Sequence, residues 1–140
     1  MIRLVLVDDQ PSVRQGLRMR LTAEPDMMVV GEASNGREAI ILVQQLAPDI
    51  VLMDVEMPEM DGIEATAMMR ASIPQSAVVM LSIYDDVSTR ARAHAAGAAA
   101  FVNKSGVVDV LLATIRHAAE QRNMERDARY SLDSGSSHMC

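Results

Sequence analysis

The chain has 140 residues, enough for one domain of about 100–150 residues and a tail. Its 49% hydrophobic and 23% charged residues suit a globular domain and exclude a disordered one. The net charge of −6 and only 2% aromatics make this stretch a poor nucleic-acid binder, no apolar run reaches the roughly 18–20 residues of a membrane span, and a single cysteine, Cys140, excludes an internal disulfide and fits a reducing, cytoplasmic setting.

Ile2 to Val7 is almost wholly aliphatic and ends in Asp8-Asp9, which predicts a central strand delivering two carboxylates to one edge. Pro11 suits the first turn of a helix, and Val13, Leu17 and Leu21 give it one inward stripe. Glu24-Pro25-Asp26 breaks that helix, and Met27 to Val30 reads as a second strand. Asn35-Gly36 signals a turn into a helix whose inner face is Ala39, Leu42, Val43 and Leu46, stopped by Pro48. Ile50 to Met53 is a short apolar run that delivers Asp54 to its end, and a Pro/Gly-rich loop follows to Gly62. A short helix spans Ile63 to Ala71. Ala77 to Leu81 is another strand and delivers Ser82. Asp85 to Ala96 forms a weakly amphipathic helix with Gly97 as its C-terminal stop, and Asp85 and Asp86 read as solvent-facing charges at its start. Ala99 to Val102 is a last strand ending near Lys104, and Val107 to Arg122 is the final helix. From Asn123 the periodicity fades. Residues 123–140 read as a flexible linker or tail, and Gly135 to Met139 has the look of a vector-derived scar.

Five strand–helix units in regular alternation imply a doubly wound parallel sheet with helices on both faces, with right-handed crossovers. Ligands of such sheets bind just past the carboxyl ends of the strands. At that edge four strand ends converge, bringing Asp8 and Asp9, Asp54, Ser82 and Lys104. Three crowded carboxylates stay ionised only if a cation sits among them or one takes a proton. An oxygen-rich set with few protein ligands suits Mg²⁺, which keeps several waters and shares phosphate oxygens. An aspartate there is a nucleophile for phosphoryl groups, and an ammonium and a hydroxyl are partners for phosphate oxygens.

These residues, as Leu-Val-Asp-Asp at 6–9, Asp-Ile-Val-Leu-Met-Asp at 49–54, Met-Pro-Glu-Met-Asp-Gly at 57–62, Leu-Ser at 81–82 and Ala-Gly-Ala-x-x-Phe-Val-x-Lys at 96–104, resemble the receiver domain of bacterial two-component response regulators. The match covers residues 1–122 in order. The segments from Asp9 to Leu17 and from Val29 to Ala39 are most similar to the NarL/FixJ class, in which a LuxR-type helix-turn-helix domain follows the receiver. The resemblance implies a flavodoxin-like, CheY-like five-stranded fold, Asp54 as phosphoacceptor, and Asp8 and Asp9 as the acidic pair holding Mg²⁺. It also implies that Glu56 offers the metal its backbone carbonyl, that Ser82 and Phe101 are the switch hydroxyl and aromatic, and that Lys104 holds the phosphoryl group. The implied partners are a sensor histidine kinase and a second copy of the chain. DNA would be bound only through a domain of a longer parent chain. Two departures stand out. Ser105 follows Lys104 where many members have a cis proline, so a trans bond is expected. The switch aromatic is Phe and not Tyr.

An enzyme of the haloacid-dehalogenase type is the rival reading, because Glu56 lies two residues after Asp54 where that family has a general acid. Against it, the chain lacks a cap insertion and its paired acids precede the nucleophile. A receiver that binds partners without phosphorylation is a third reading, and the complete acidic set weighs against it. Asp61 beside Gly62 reads as loop structure.

Overall fold

Alternation of side chains along each apolar run decides how the chain layers itself. Leu4 and Leu6 point to one face of the sheet and Val5 and Val7 to the other, so the strand is buried on both sides. The computed structural model describes the backbone of residues 1–138 and the side chains of residues 1–128; Cys140 lies outside the described residues. The strands are β1 (Ile2–Val7), β2 (Met27–Ala33), β3 (Ile50–Asp54), β4 (Ala77–Ser82) and β5 (Ala100–Asn103). The helices are α1 (Pro11–Thr22), α2 (Gly36–Leu46), α3 (Gly62–Ser72), α4 (Val87–Ala95) and α5 (Val108–His138). All strand pairs are parallel, in the order β2-β1-β3-β4-β5.

The two faces carry separate cores. On one, Leu21 of α1 and Leu111, Leu112 and Ile115 of α5 cover Leu4, Leu6, Ile50, Leu52, Val79 and Leu81. On the other, Ala39 and Val43 of α2, Ile63, Ala65 and Met69 of α3, and Ala93 of α4 cover Val5, Val51, Met53, Val78 and Met80. This is the doubly wound arrangement expected from the sequence. Met53, Met69 and Met80 are fully buried core filler, whereas Met1, Met19, Met28, Met68 and Met124 are exposed.

Local chemistry sets the helix starts. The side chains of Asn35, Asp61 and Asp86 accept hydrogen bonds from the amides of Glu38, Glu64 and Thr89, capping α2, α3 and α4. Asp61 is thus a helix cap as well as loop structure, and Asp85 and Asp86 are exposed as expected. Gly97 stops α4 at φ +101°, a backbone region that strains other residues. Among the described residues no peptide bond is cis, in keeping with the trans expectation before Ser105.

Two boundaries differ from the sequence reading by more than two residues. β2 runs to Ala33 and not to Val30, because Gly31 and Glu32, though not apolar, pair with Val5 and Leu6. α5 does not end at Arg122. Periodicity reports a buried face, whereas Met124, Glu125, Arg126 and Ala128 favour helix with nothing to bury. Among the described residues no helix is long and apolar enough to cross a membrane.

Candidate functional site

Register brings the reactive side chains to one rim. β1 and β3 align Val7 with Met53, so Asp8 and Asp54 each follow an aligned pair. β3 and β4 align Asp54 with Leu81, placing Ser82 one step further, and Ser82 aligns with Asn103, one before Lys104. The amide of Lys104 donates to the Ser82 carbonyl at 2.8 Å, tying the two strand ends together.

Asp8, Asp9 and Asp54 each offer a carboxylate oxygen, all within 4.8 Å of one another. Asp8 and Asp54 are buried and Asp9 lies toward solvent. Lys104 Nζ lies 2.7 Å from Asp8 Oδ2 and 3.3 Å from Asp54 Oδ1. Apart from that ammonium, neither of these buried oxygens has a partner among the described residues. The other oxygen of Asp8 accepts from the Gln10 amide at 2.9 Å, so the turn after β1 is built on the same carboxylate that faces the site. Arg14 reaches back from α1 to the Asp8 carbonyl at 2.6 Å.

The electrostatics are those of charge held out of water. Burial, then the neighbouring Asp8 charge, pushes the Asp54 carboxyl up to about 7; Lys104 works the other way and Glu56 adds to the rise. Burial disfavours the Lys104 ammonium, but its contact with Asp8 and the charges of Asp54 and Asp8 outweigh this and raise its pKa above that of an ordinary lysine. Three clustered carboxylates, two of them with buried oxygens that meet only the Lys104 ammonium among the described residues, form an oxygen donor set that a hard divalent cation such as Mg²⁺ fits.

The loop after β3 is fastened to this rim through Gly62. Its amide donates to the Val55 carbonyl at 2.9 Å, and a Cβ at this position would meet the Asp54 carbonyl oxygen at 2.1 Å. Only glycine allows that approach.

The chain matches the family described as response regulator receiver domain over residues 4–116. It belongs to that family. The transcriptional regulatory protein LiaR of Bacillus subtilis is 38% identical over 120 residues, 86% of this chain and 57% of LiaR. YxjL, a transcriptional regulatory protein of the same organism, is 40% identical over 118 residues, 84% of this chain and 54% of its own length. The receiver thus spans about half the length of these curated relatives. Among solved structures, a two-component response regulator of the LuxR family from Aurantimonas sp. SI85-9A1 superposes with a TM-score of 0.84 at 34% identity, covering 87% of both chains. The response regulator domain of Thermotoga maritima CheB superposes with a TM-score of 0.81 at 34% identity, covering 86% of this chain and 97% of that one. The fold is therefore the CheY-like receiver fold, and this domain is a signalling module. The relatives that carry a methylesterase name are matched over only about a third of their length. The haloacid-dehalogenase reading finds no support in these likenesses.

The structure brings Asp8, Asp9, Asp54, Ser82 and Lys104 to one rim. It gives the side chain of Glu56 a place that sequence reasoning missed. The Ser82 hydroxyl donates to Glu56 Oε1 and accepts from the Tyr84 amide at 3.0 Å, while Glu56 also stands beside Asp54. The only sequence signal was a fourth acid two residues after Asp54. Phe101 is half-buried against the core, with the Arg90 guanidinium 4.7 Å from its ring centre and Asp85 paired to Arg90.

Proposed function

We propose that this receiver, residues 1–122, accepts a phosphoryl group on Asp54 from a sensor histidine kinase and then alters an interaction face that controls transcription through a separate DNA-binding domain. The buried oxygens of Asp8 and Asp54, whose one partner among the described residues is the Lys104 ammonium, support this reading most directly.

Asp8, Asp9 and Asp54 would hold Mg²⁺, with the Glu56 carbonyl as a further ligand. The bound metal supplies charge neutralisation at the transferring oxygens. The chain's own residues do the rest. An Asp54 oxygen forms a bond to phosphorus as the phosphorus–nitrogen bond to the kinase imidazole breaks, and the imidazole leaves with the electron pair. Lys104, already within 3.3 Å of Asp54, holds a phosphoryl oxygen as negative charge gathers. Ser82 has one hydroxyl proton, now given to Glu56; donating it to the phosphoryl group means leaving that carboxylate.

The readout follows from the added charge and acceptor oxygens. Ser82 moves toward the phosphoryl group, and Phe101, already packed against the core, turns into the space it leaves. The face of α4, β5 and α5 is thereby reshaped for a second copy of the chain, as a shift between two existing states. Ile83, Tyr84 and Val87, which are 59%, 59% and 85% exposed, offer that face apolar contacts. Turnover is limited to gain and loss of this one phosphoryl group.

Incubation with Mg²⁺ and a small phosphodonor, followed by intact mass, tests the proposal. A single phosphoryl addition is expected in the wild type and none in Asp54→Ala; equal addition in both would refute it.

A further inference from the structure

A second concavity lies at the opposite pole of the sheet from the carboxylates. It opens beside Ala77 at the start of β4 and Ala99 just before β5, and is closed over by the exposed part of α5. Its volume is about 450 Å³, within the 300–1,000 Å³ or so of small-molecule sites. The floor is small and apolar, made by Ala77, Ala98, Ala99 and Ala118. The rim carries Arg70, Arg122 and Arg126 against one lining acid, Glu125, with Arg122 already paired to Asp49. In a chain of net charge −6, this mouth runs against the overall sign.

The rim is partly pre-formed. Arg70 donates from Nη1 to the Pro74 carbonyl at 2.9 Å, which fixes its guanidinium at the mouth and leaves its other N–H groups for a ligand. Gly97 makes room for the Arg70 stem, since a Cβ there would meet Arg70 Cγ at 2.7 Å. Arg122 is held by Asp49 at 2.8 Å and by the Gln75 carbonyl, so its charge is already balanced and it serves as a wall. Small apolar side chains lining the same cavity as planar guanidinium donors suit a ligand with a compact body and a dianionic head.

We propose that this cavity binds a small organic phosphate of about mononucleotide size, at a site separate from the phosphoacceptor. Arg70 and Arg126 take the phosphate, and the alanine floor takes the body.

Amide chemical shifts of the whole chain, titrated with AMP, with adenosine and with inorganic phosphate in the presence of EDTA, provide the test. The chelator removes divalent metal from the acidic rim, so phosphate is not drawn there. AMP is expected to shift Gly97, Ala98, Ala99 and Ala118 with saturation, and more strongly than either fragment. Arg70→Gln with Arg126→Gln is expected to weaken AMP at least about ten-fold while leaving the remaining spectrum and the melting temperature unchanged. Asp54→Asn is expected to leave AMP binding intact. The proposal is overturned if AMP shifts nothing, if the shifts gather around Lys104 and Asp54, or if the double variant binds AMP as well as the wild type.

Discussion

Asp54 must be buried to be positioned and ionised to react, and its neighbours decide the balance. Its folded pKa of about 7 lies above the ordinary 3.8 because burial and Asp8 outweigh Lys104. Between those values the folded state keeps a proton that the unfolded chain has lost. This group's contribution to stability is therefore full below about pH 4 and declines as pH rises toward 7. A divalent cation replaces the proton, so Mg²⁺ should raise the melting temperature more at pH 8 than at pH 5. Equal shifts at both would contradict the placement of the metal among these acids. Glu56 adds a second carboxylate beside Asp54 and occupies the Ser82 hydroxyl. Glu56→Ala should lower the Asp54 pKa and free Ser82. Phosphorylation by a small donor at neutral pH should then be faster, by several-fold, which stopped-flow or timed mass measurements would detect.

At the level of elements, the site depends on strand ends meeting in register and on one loop folding back. Gly62→Ala would force a methyl group into the Asp54 carbonyl, at a cost of about 3 kcal/mol or more, and should also abolish phosphorylation. Urea denaturation and the mass assay together check both. Met80→Ala, in the fully buried middle of β4, should cost about 2–5 kcal/mol and leave the rim intact. The five apolar runs and the acid at the end of β3 were legible because a buried parallel strand must be aliphatic throughout and must end where its polar residues begin. The pairing of Glu32 and Gly31 with β1 was not, since a sheet edge can recruit residues with no apolar signal. Nor was the continuation of α5, which has helix-forming residues without a buried face. Ser82 and Lys104 could be placed from strand ends alone. The seizure of Ser82 by Glu56, and of the Phe101 ring by Arg90, are contacts between side chains from different elements, which only the folded geometry reveals.

For the whole molecule, the acidic rim and the exposed apolar residues at the start of α4 form one chain of cause. Phosphorylation should shift the sedimentation profile from monomer toward dimer. Val87→Asp should suppress that shift without altering uptake of the phosphoryl group, because Val87 is 85% exposed and outside the rim. All of this rests on Asp54 itself taking the phosphoryl group as an acyl phosphate. The most direct measurement is reductive trapping: treat the phosphodonor-exposed chain with borohydride, digest it, and locate the reduced residue by peptide mass. Reduction at position 54 alone, and only when Mg²⁺ is present, is the expected result. Reduction at another carboxylate, or at position 54 to the same extent without metal, would contradict it.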